Sequence, residues 1–262
     1  MRLSAAPLML VLALGLAPEA LAYGPGGQGR WFADIHAQGA SLSGHLQGTS
    51  GGNPFNVDLK DDLGLERSGY KPGFSLEYQG PRFGLELSRD RQDYTGDTHL
   101  SRTITVNGTT YAASTRVLSS LKTTSTTFNW TIRALAGPQA WLGVDLGVRS
   151  TELDFATSGS LASTTTAAGY RTTLPMPQVG PAAGFTALDG ALVGRAFVHF
   201  LAYKGASYTH PGADLRYFPI SWLGIRAFYD GERFRVPKGS LKDDMDLSLD
   251  LGGAGLGVVA RF

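Results

Sequence analysis

The sequence predicts an all-β chain: a closed, antiparallel, up-and-down transmembrane barrel of ten strands, with eight as the alternative. Three observations predict it. Short stretches along the whole chain alternate apolar and polar residues with a period of two, as strands with two different faces do. The connections between these stretches alternate between tight Gly/Pro turns and long polar segments. Finally, Asp246 to Phe262 reads as a strand that stops on an aromatic residue, with Leu256, Val258, Ala260 and Phe262 on one face and Gly257, Val259 and Arg261 on the other. Nothing follows to cover its edge, so it must pair with the first strand and close the sheet.

The N-terminus has a positive start at Arg2, an apolar run from Pro7 to Ala17 and a small-x-small pattern at Ala20-Leu21-Ala22. This is the form of a secretory signal peptide over 1–22, cleaved near Ala22, followed by one barrel domain over 23–262. The apolar run is too short for a spanning helix, and no later run is apolar enough for one. A formal charge of +1 gives no pull toward nucleic acid. With no cysteine in the chain, disulfides and thiolate metal sites are excluded. A soluble sandwich would alternate apolar core faces with a polar exterior. The 35 glycines, abundant Thr and Ser, and aromatic strand ends fit a barrel better.

The first strand is Arg30 to Leu42, with Trp31, Ala33, Ile35 and Ala37 toward lipid and Asp34, His36 and Gln38 inward; His45 to Ser68 follows as a loop. In the second, Tyr70, Pro72, Phe74, Leu76 and Tyr78 oppose Lys71, Gly73, Ser75, Glu77 and Gln79. Gly80-Pro81-Arg82 turns the chain into the third, where Phe83, Leu85 and Leu87 oppose Gly84, Glu86 and Ser88. Tyr94 to Ser120 reads as a Thr-rich loop. The fourth strand, ending near Leu135, puts Phe128, Trp130 and Ile132 out and Asn129, Thr131 and Arg133 in.

After Gly137-Pro138-Gln139, the fifth strand sets Leu142, Val144, Leu146 and Val148 against Gly143, Asp145, Gly147 and Arg149, and Thr151 to Thr172 reads as a loop. Pro175, Pro177 and Pro181 each remove a ladder donor, so the sixth strand is expected to start late or carry a bulge. Leu188-Asp189-Gly190 leads to the seventh, with Gly194, Ala196, Val198 and Phe200 out and Arg195, Phe197 and His199 in. The eighth is Ala213 to Phe218. The ninth, after Pro219 to Leu223, has Ile225, Ala227 and Tyr229 out and Arg226, Phe228 and Asp230 in, and Phe234 to Asp244 loops to the last strand.

Tight turns on one rim and long connections on the other place the turns, and both chain ends, in the periplasm. Tyr78, Phe83, Trp141, Tyr217, Trp222 and Phe262 gather near the tight turns as an interfacial girdle. Leu247, Leu249 and Leu251 fall on the opposite parity to Leu256, Val258 and Ala260, so a bulge is expected at Gly252-Gly253.

The leader, the terminal LGVVARF and the pattern of short turns resemble the small outer-membrane β-barrel proteins of Gram-negative bacteria, the group of the OmpA-like and OmpW-like barrels; Val57 to Leu65 (VDLKDDLGL) is similar to first-loop segments of that group. The resemblance implies residence in the outer membrane among its lipids and lipopolysaccharide, recognition of Phe262 by the barrel assembly machinery, and a monomer. It carries no catalytic residues across.

The candidate lumen residues are Asp34, His36, Lys71, Glu77, Glu86, Arg133, Asp145, Arg149, Arg195, His199, Arg226, Asp230 and Arg261. Mixed charges in so narrow a barrel are expected either to pair and plug it or to line a narrow polar channel. The function expected is that of a structural surface protein or a narrow pore for small solutes, with no cofactor and no enzymatic activity. The alternative is a barrel enzyme acting on lipid A or peptides. An omptin-like protease sets two acidic residues against an Asp and His pair. Asp90 and Asp93 with His210 and Asp214 are candidates, and His210 and Asp214 lack the Asp-x-His spacing of that pair. Barrel lipid A deacylases place His and Ser two apart in a strand, which none of the strands above does, and the Asp-Ser pair of the palmitoyltransferase type is absent. HExxH and GK[ST] motifs are absent too. Leu59-Lys60-Asp61-Asp62 recurs as Leu241-Lys242-Asp243-Asp244, and the carboxylates of Asp61, Asp62, Asp243 and Asp244 form a speculative cation site at the outer rim.

Overall fold

The computed structural model describes residues 29–50, 52–65, 71–161, 164–203, 205–239 and 245–262; the expected leader and its cleavage point lie outside them. The strands are β1 (Arg30–Ser50), β2 (Asn53–Asp58), β3 (Lys71–Gln79), β4 (Phe83–His99), β5 (Ile104–Val106), β6 (Thr109–Tyr111), β7 (Arg116–Ala136), β8 (Ala140–Leu161), β9 (Thr164–Ala187), β10 (Leu192–Tyr203), β11 (Ala206–Ile220), β12 (Leu223–Val236) and β13 (Met245–Arg261). Ten of them form an antiparallel ring in the order β1-β3-β4-β7-β8-β9-β10-β11-β12-β13. β13 returns to β1 in continuous register from Phe32 opposite Arg261 to Gly48 opposite Met245. Trp31 and Phe262 finish the seam by exchanging backbone hydrogen bonds of 2.8 and 3.0 Å. β2, β5 and β6 branch from the outer end of β1.

The expected ring of ten strands is present, and its strands run well beyond their expected ends. The stretches read as loops at Tyr94 to Ser120 and Thr151 to Thr172 are largely ladder: β4 pairs with β7 up to His99 opposite Arg116, and β8 with β9 up to Leu161 opposite Thr164. These outer halves are Thr- and Ser-rich, which suits strands whose outer face meets water.

That change of solvent explains the phase shift in β13. Its register against both β1 and β12 is unbroken, so there is no bulge at Gly252-Gly253. Odd residues point inward throughout. Near the tight turns the exterior is lipid, and Leu256 and Val258 are exposed; farther up the exterior is water, and Leu249 is buried inside. β7 repeats the switch. Its outward side chains change from Ile132 and Phe128 to Thr126 and Thr124, while its inward ones change from Thr131, Asn129 and Thr127 to Leu121 and Val117. Ile35, Phe74, Leu87, Phe128, Val144, Val198, Phe200, Leu215, Ile225 and Val258 all lie exposed in the lower band, an apolar belt that only lipid would cover.

The prolines of β9 neither delay the strand nor bulge it against β8, whose register runs unbroken past Pro175, Pro177 and Pro181. Their missing donors face β10, where the pairing skips Val198 and His199 between Phe197 opposite Ala182 and Phe200 opposite Val179. Trp141 is a second correction. It shares the inward face with Gly184 and lies under the Arg133 guanidinium, 4.8 Å away, at the mouth of the lumen instead of in the girdle. At the rim outside, Trp31, Tyr78 and Phe83 do cluster, with ring centroids 5.1 and 5.4 Å apart in succession.

Candidate functional site

The inward faces stack into three layers. At the tight-turn end Phe32, Val193, Phe218 and Val259 form a buried apolar floor. The middle layer is an ion-paired network. Above it lies an apolar plug of Leu42, Phe55, Val57, Leu59, Leu63, Leu65, Tyr94, Ile104, Val106, Val117, Leu121 and Phe155, among others.

In the middle layer Asp34 binds His36 Nδ1 at 2.6 Å and both its oxygens face Arg226 at 3.1 Å; Ser75 donates to it as well. The other nitrogen of His36 meets Asp90 at 2.7 Å. Arg195 joins Glu86 and Asp145, each at 2.7 Å, and Asp145 also holds His199 at 2.9 Å and Thr131 at 2.6 Å. Arg149 reaches Glu232 at 2.5 Å and Thr127 at 2.9 Å. Arg216 bridges Glu77 at 2.6 Å and Asp214 at 2.9 Å. His210 contacts Gln178 at 3.1 Å and pairs with Asp230. Buried charges are tolerable only when paired, and each of these arginines has a carboxylate partner.

Of the candidate lumen residues, Asp34, His36, Glu77, Glu86, Asp145, Arg149, Arg195, His199, Arg226 and Asp230 meet in this network. Arg133 and Arg261 sit instead at the mouth; Arg261 stacks 4.2 Å from the Phe218 ring and donates to the carbonyls of Gly190 and Ser221. Lys71 begins β3, and its side chain lies outside the described residues, as do Asp243 and Asp244 of the cation site. Asp62 is engaged by Arg102 and by the Asp58 amide at 2.8 Å, so it is committed to holding the first outer turn; Asp61 is exposed. Among the described residues no group of three or more His, Asp or Glu side chains could hold a metal ion.

Glu232 and Arg216 join the network without being among the candidates, and Asp90, His210 and Asp214, candidates only for the protease-like reading, join it as well. Their parity was the available signal: Asp214 and Arg216 already lay in the expected eighth strand, to which no faces were assigned, and Glu232, Asp90 and His210 become readable once β12, β4 and β11 are followed to their full length. The Asp-x-His spacing does exist, at Asp34 and His36 on the first strand and at Asp97 and His99 at the outer end of β4, though not near His210. His99-Leu100-Ser101 has His-x-Ser spacing, but β4 ends at His99 and Ser101 is an exposed bend residue. Gly48 to Gly52 matches G-x-S-x-G, at a strand-to-strand hairpin without the strand-to-helix elbow that gives this motif its chemistry.

Outside the membrane band, Arg116 holds the Asp97 carboxyl below the usual carboxylate range through hydrogen bonds of 2.6 and 2.9 Å. At Asp250 partial burial pushes the pKa up, but hydrogen bonds from Arg235 and Arg233 outweigh it and leave the carboxyl lowered.

A closed ten-stranded ring, a lipid-facing apolar belt, tight turns on one rim and an ion-paired lumen define an outer-membrane β-barrel of the Gram-negative type. The chain is similar to the crystal structure of the outer membrane protease OmpT from Escherichia coli, with a TM-score of 0.63 at 11% sequence identity over 93% of this chain and 99% of that one. Lower likeness extends to OprG from Pseudomonas aeruginosa (TM-score 0.35, 10% identity, 90% of this chain and 97% of that) and to Ail, the attachment invasion locus protein of Yersinia pestis, in a complex with the heparin analogue sucrose octasulfate (0.33, 14%, 88% and 99%). At these identities the likeness is one of fold. No protein-family model and no curated protein matches the chain.

Proposed function

We propose that this barrel is a non-enzymatic structural surface protein, closed to solute flow, which anchors a wall of long outer strands above the membrane. The observation that carries this reading is the filling of the lumen. Two cavities within the charged layer measure about 30 and 50 Å3, the larger lined by His36, Glu86, Asp90, Arg149, His210 and Arg226 among others, and a wider, open one of about 1090 Å3 lies at the tight-turn end beside Ala136, Trp141 and Phe185 and reaches Arg195 and Asp214. Each of the two within the charged layer has room for a few water molecules at most, and neither forms a conduit. The apolar plug above them closes the same path again. In planar bilayers the refolded protein is expected to give no discrete conductance steps at neutral pH; steps of uniform size would establish the narrow-pore alternative.

One observation favours a second reading, a barrel hydrolase: Asp34, His36 and Asp90 form a carboxylate-imidazole-carboxylate chain with hydrogen bonds of 2.6 and 2.7 Å, a geometry suited to general base chemistry. Against it, the imidazole lies beneath the plug, Arg226 occupies Asp34, and the adjoining cavity is far too small for a peptide or an acyl chain. Turnover of peptides or lipid A by the refolded protein, abolished by His36→Ala in a variant that still folds, would establish the hydrolase.

A further inference from the structure

β9 has 24 residues and β10 has 12. β8 stays with β9 along its length, but β10 pairs with it only from Leu192 opposite Ala187 to Phe200 opposite Val179, because the chain turns back to begin β11 at Ala206. Above that hairpin, the edge of β9 that faces β10 has no ladder partner among the described residues. The backbone groups on this edge belong to odd-numbered residues: the missing donors of Pro175 and Pro177 lie there, and so does the Gly169 carbonyl, which accepts from Asn107 Nδ2 at 2.8 Å.

Free edges are normally blunted by proline, charge or a bulge. Here that protection stops at Pro175. Beyond it Thr164–Leu174 reads TTTAAGYRTTL, rich in β-branched residues, exposed along its outward face and charged only at Arg171. It presents an edge about 36 Å long at ~3.3 Å per residue, without a ladder partner among the described residues and touched around Gly169 and Tyr170 by the β5–β6 hairpin and by Phe55 of β2. Arg171 is 73% exposed, and its nearest carboxylate, Glu152, stands 3.9 Å away. Asn107 already satisfies one carbonyl of this edge through its side-chain amide.

We propose that the Thr164–Leu174 edge docks an extended segment of another protein outside the cell, added as a strand beside β9. The segment that fits has apolar residues at alternate positions, facing the half-buried Tyr170, Leu174 and Leu201, and neutral or acidic residues between them, beside Arg171 and the threonines. A second copy of this chain does not fit. Strands in such barrels tilt by about 35–45° from the axis, so a twofold axis along the membrane normal would cross two β9 edges at roughly 70–90°.

The test uses the full chain refolded in lipid nanodiscs and a fluorescein-labelled synthetic decapeptide with Val at alternate positions and Thr or Glu between. Saturable binding is expected by anisotropy, weakened at least ten-fold when alternate peptide nitrogens are methylated. The same loss is expected for the protein variant Arg171→Pro/Thr173→Pro, which carries the Pro175 and Pro177 pattern up the free edge and leaves the β8 side intact. Unchanged heat-modifiable gel migration would verify its fold. If that variant does not fold, amide exchange of the natural protein decides: slowing at Arg171 and Thr173 on adding peptide supports the proposal, and no change overturns it. Absent binding, equal binding of the methylated peptide or of the folded proline variant, or crosslinking of two copies through Arg171 and Thr173 in place of peptide capture, would each overturn it.

Discussion

Replacing Arg195 by Met isolates what the charged layer contributes. The side chain is almost fully buried and spans from β10 to Glu86 on β4 and Asp145 on β8, both at 2.7 Å. Met fills most of the volume and removes the charge. Asp145 keeps His199 and Thr131, whereas Glu86 keeps only a 3.5 Å contact from Asn129, so the substitution leaves one carboxylate without its main partner. Removing one member of a buried pair costs about 3–5 kcal/mol, and the partners retained by Asp145 put Arg195→Met near ~3 kcal/mol. Adding Glu86→Gln removes the orphaned charge and is expected to recover more than half of the loss, ~2 kcal/mol, a size in keeping with interaction energies between directly contacting residues. Equilibrium urea unfolding in phospholipid vesicles, followed by tryptophan fluorescence and gel mobility, measures both variants. The reasoning is refuted if Arg195→Met lies within about 0.5 kcal/mol of the natural protein, the level of an indifferent surface change. It is refuted equally if the double variant is less stable than the single one.

Three more outcomes follow from the layers. Leu63, fully buried in the apolar plug, should cost ~2–5 kcal/mol when truncated to Ala, read in the same urea assay, since its removal leaves a cavity. In single-tryptophan variants, lipids brominated on their acyl chains should quench Trp130, which lies outward between Phe128 and Ile132, and spare Trp141, which faces the lumen; strong quenching at Trp141 would contradict its assigned orientation. Because Asp250 is lowered by Arg233 and Arg235, its contribution is present above the unfolded carboxylate value and disappears as pH falls through the folded one. Asp250→Asn should therefore cost under ~1 kcal/mol at pH 7, given the pair's exposure, and nothing well below pH ~3.9.

The ring itself was legible because each strand crossing the lipid band shows strong alternation, as at Trp31, Ala33 and Ile35 or Leu142, Val144 and Val148. Strand ends were not legible by the same signal. Apolar outward residues stop where lipid stops, so Arg116 to Ser120 of β7 looked like loop although the ladder there continues to Arg116 opposite His99. The lumen candidates were legible by parity wherever a recognised strand was given faces, which the eighth, with Asp214 and Arg216, was not. Glu232 and Asp90 were missed as lumen residues because the inward faces of the ninth and third strands were followed only as far as Asp230 and Ser88. The leucines at 247, 249 and 251 suggested a bulge because a fixed apolar exterior was assumed. What inverted was the solvent, and the backbone register stayed intact.

On the proposed function, the ion-paired layer that braces the barrel is also the first of its two obstructions. Hydrogen bonds around the ring fix its circumference but leave its cross-section free to flatten. The ion pairs run across it: Arg149 on β8 to Glu232 on β12, Arg195 on β10 to Glu86 on β4, Arg216 on β11 to Glu77 on β3, and Arg226 on β12 to Asp34 on β1. None of these joins neighbouring strands, so each braces the ring across the lumen. Room for them is made at inward glycines. A Cβ at Gly73 would stand 2.5 Å from His36 Nε2 and 2.7 Å from Asp90. A brace that spans the lumen also obstructs it, and water could form a continuous file only by separating charges whose partners it would have to replace. A barrel held round in this way is a firm base for outer strands that extend far beyond the membrane, and a poor conduit.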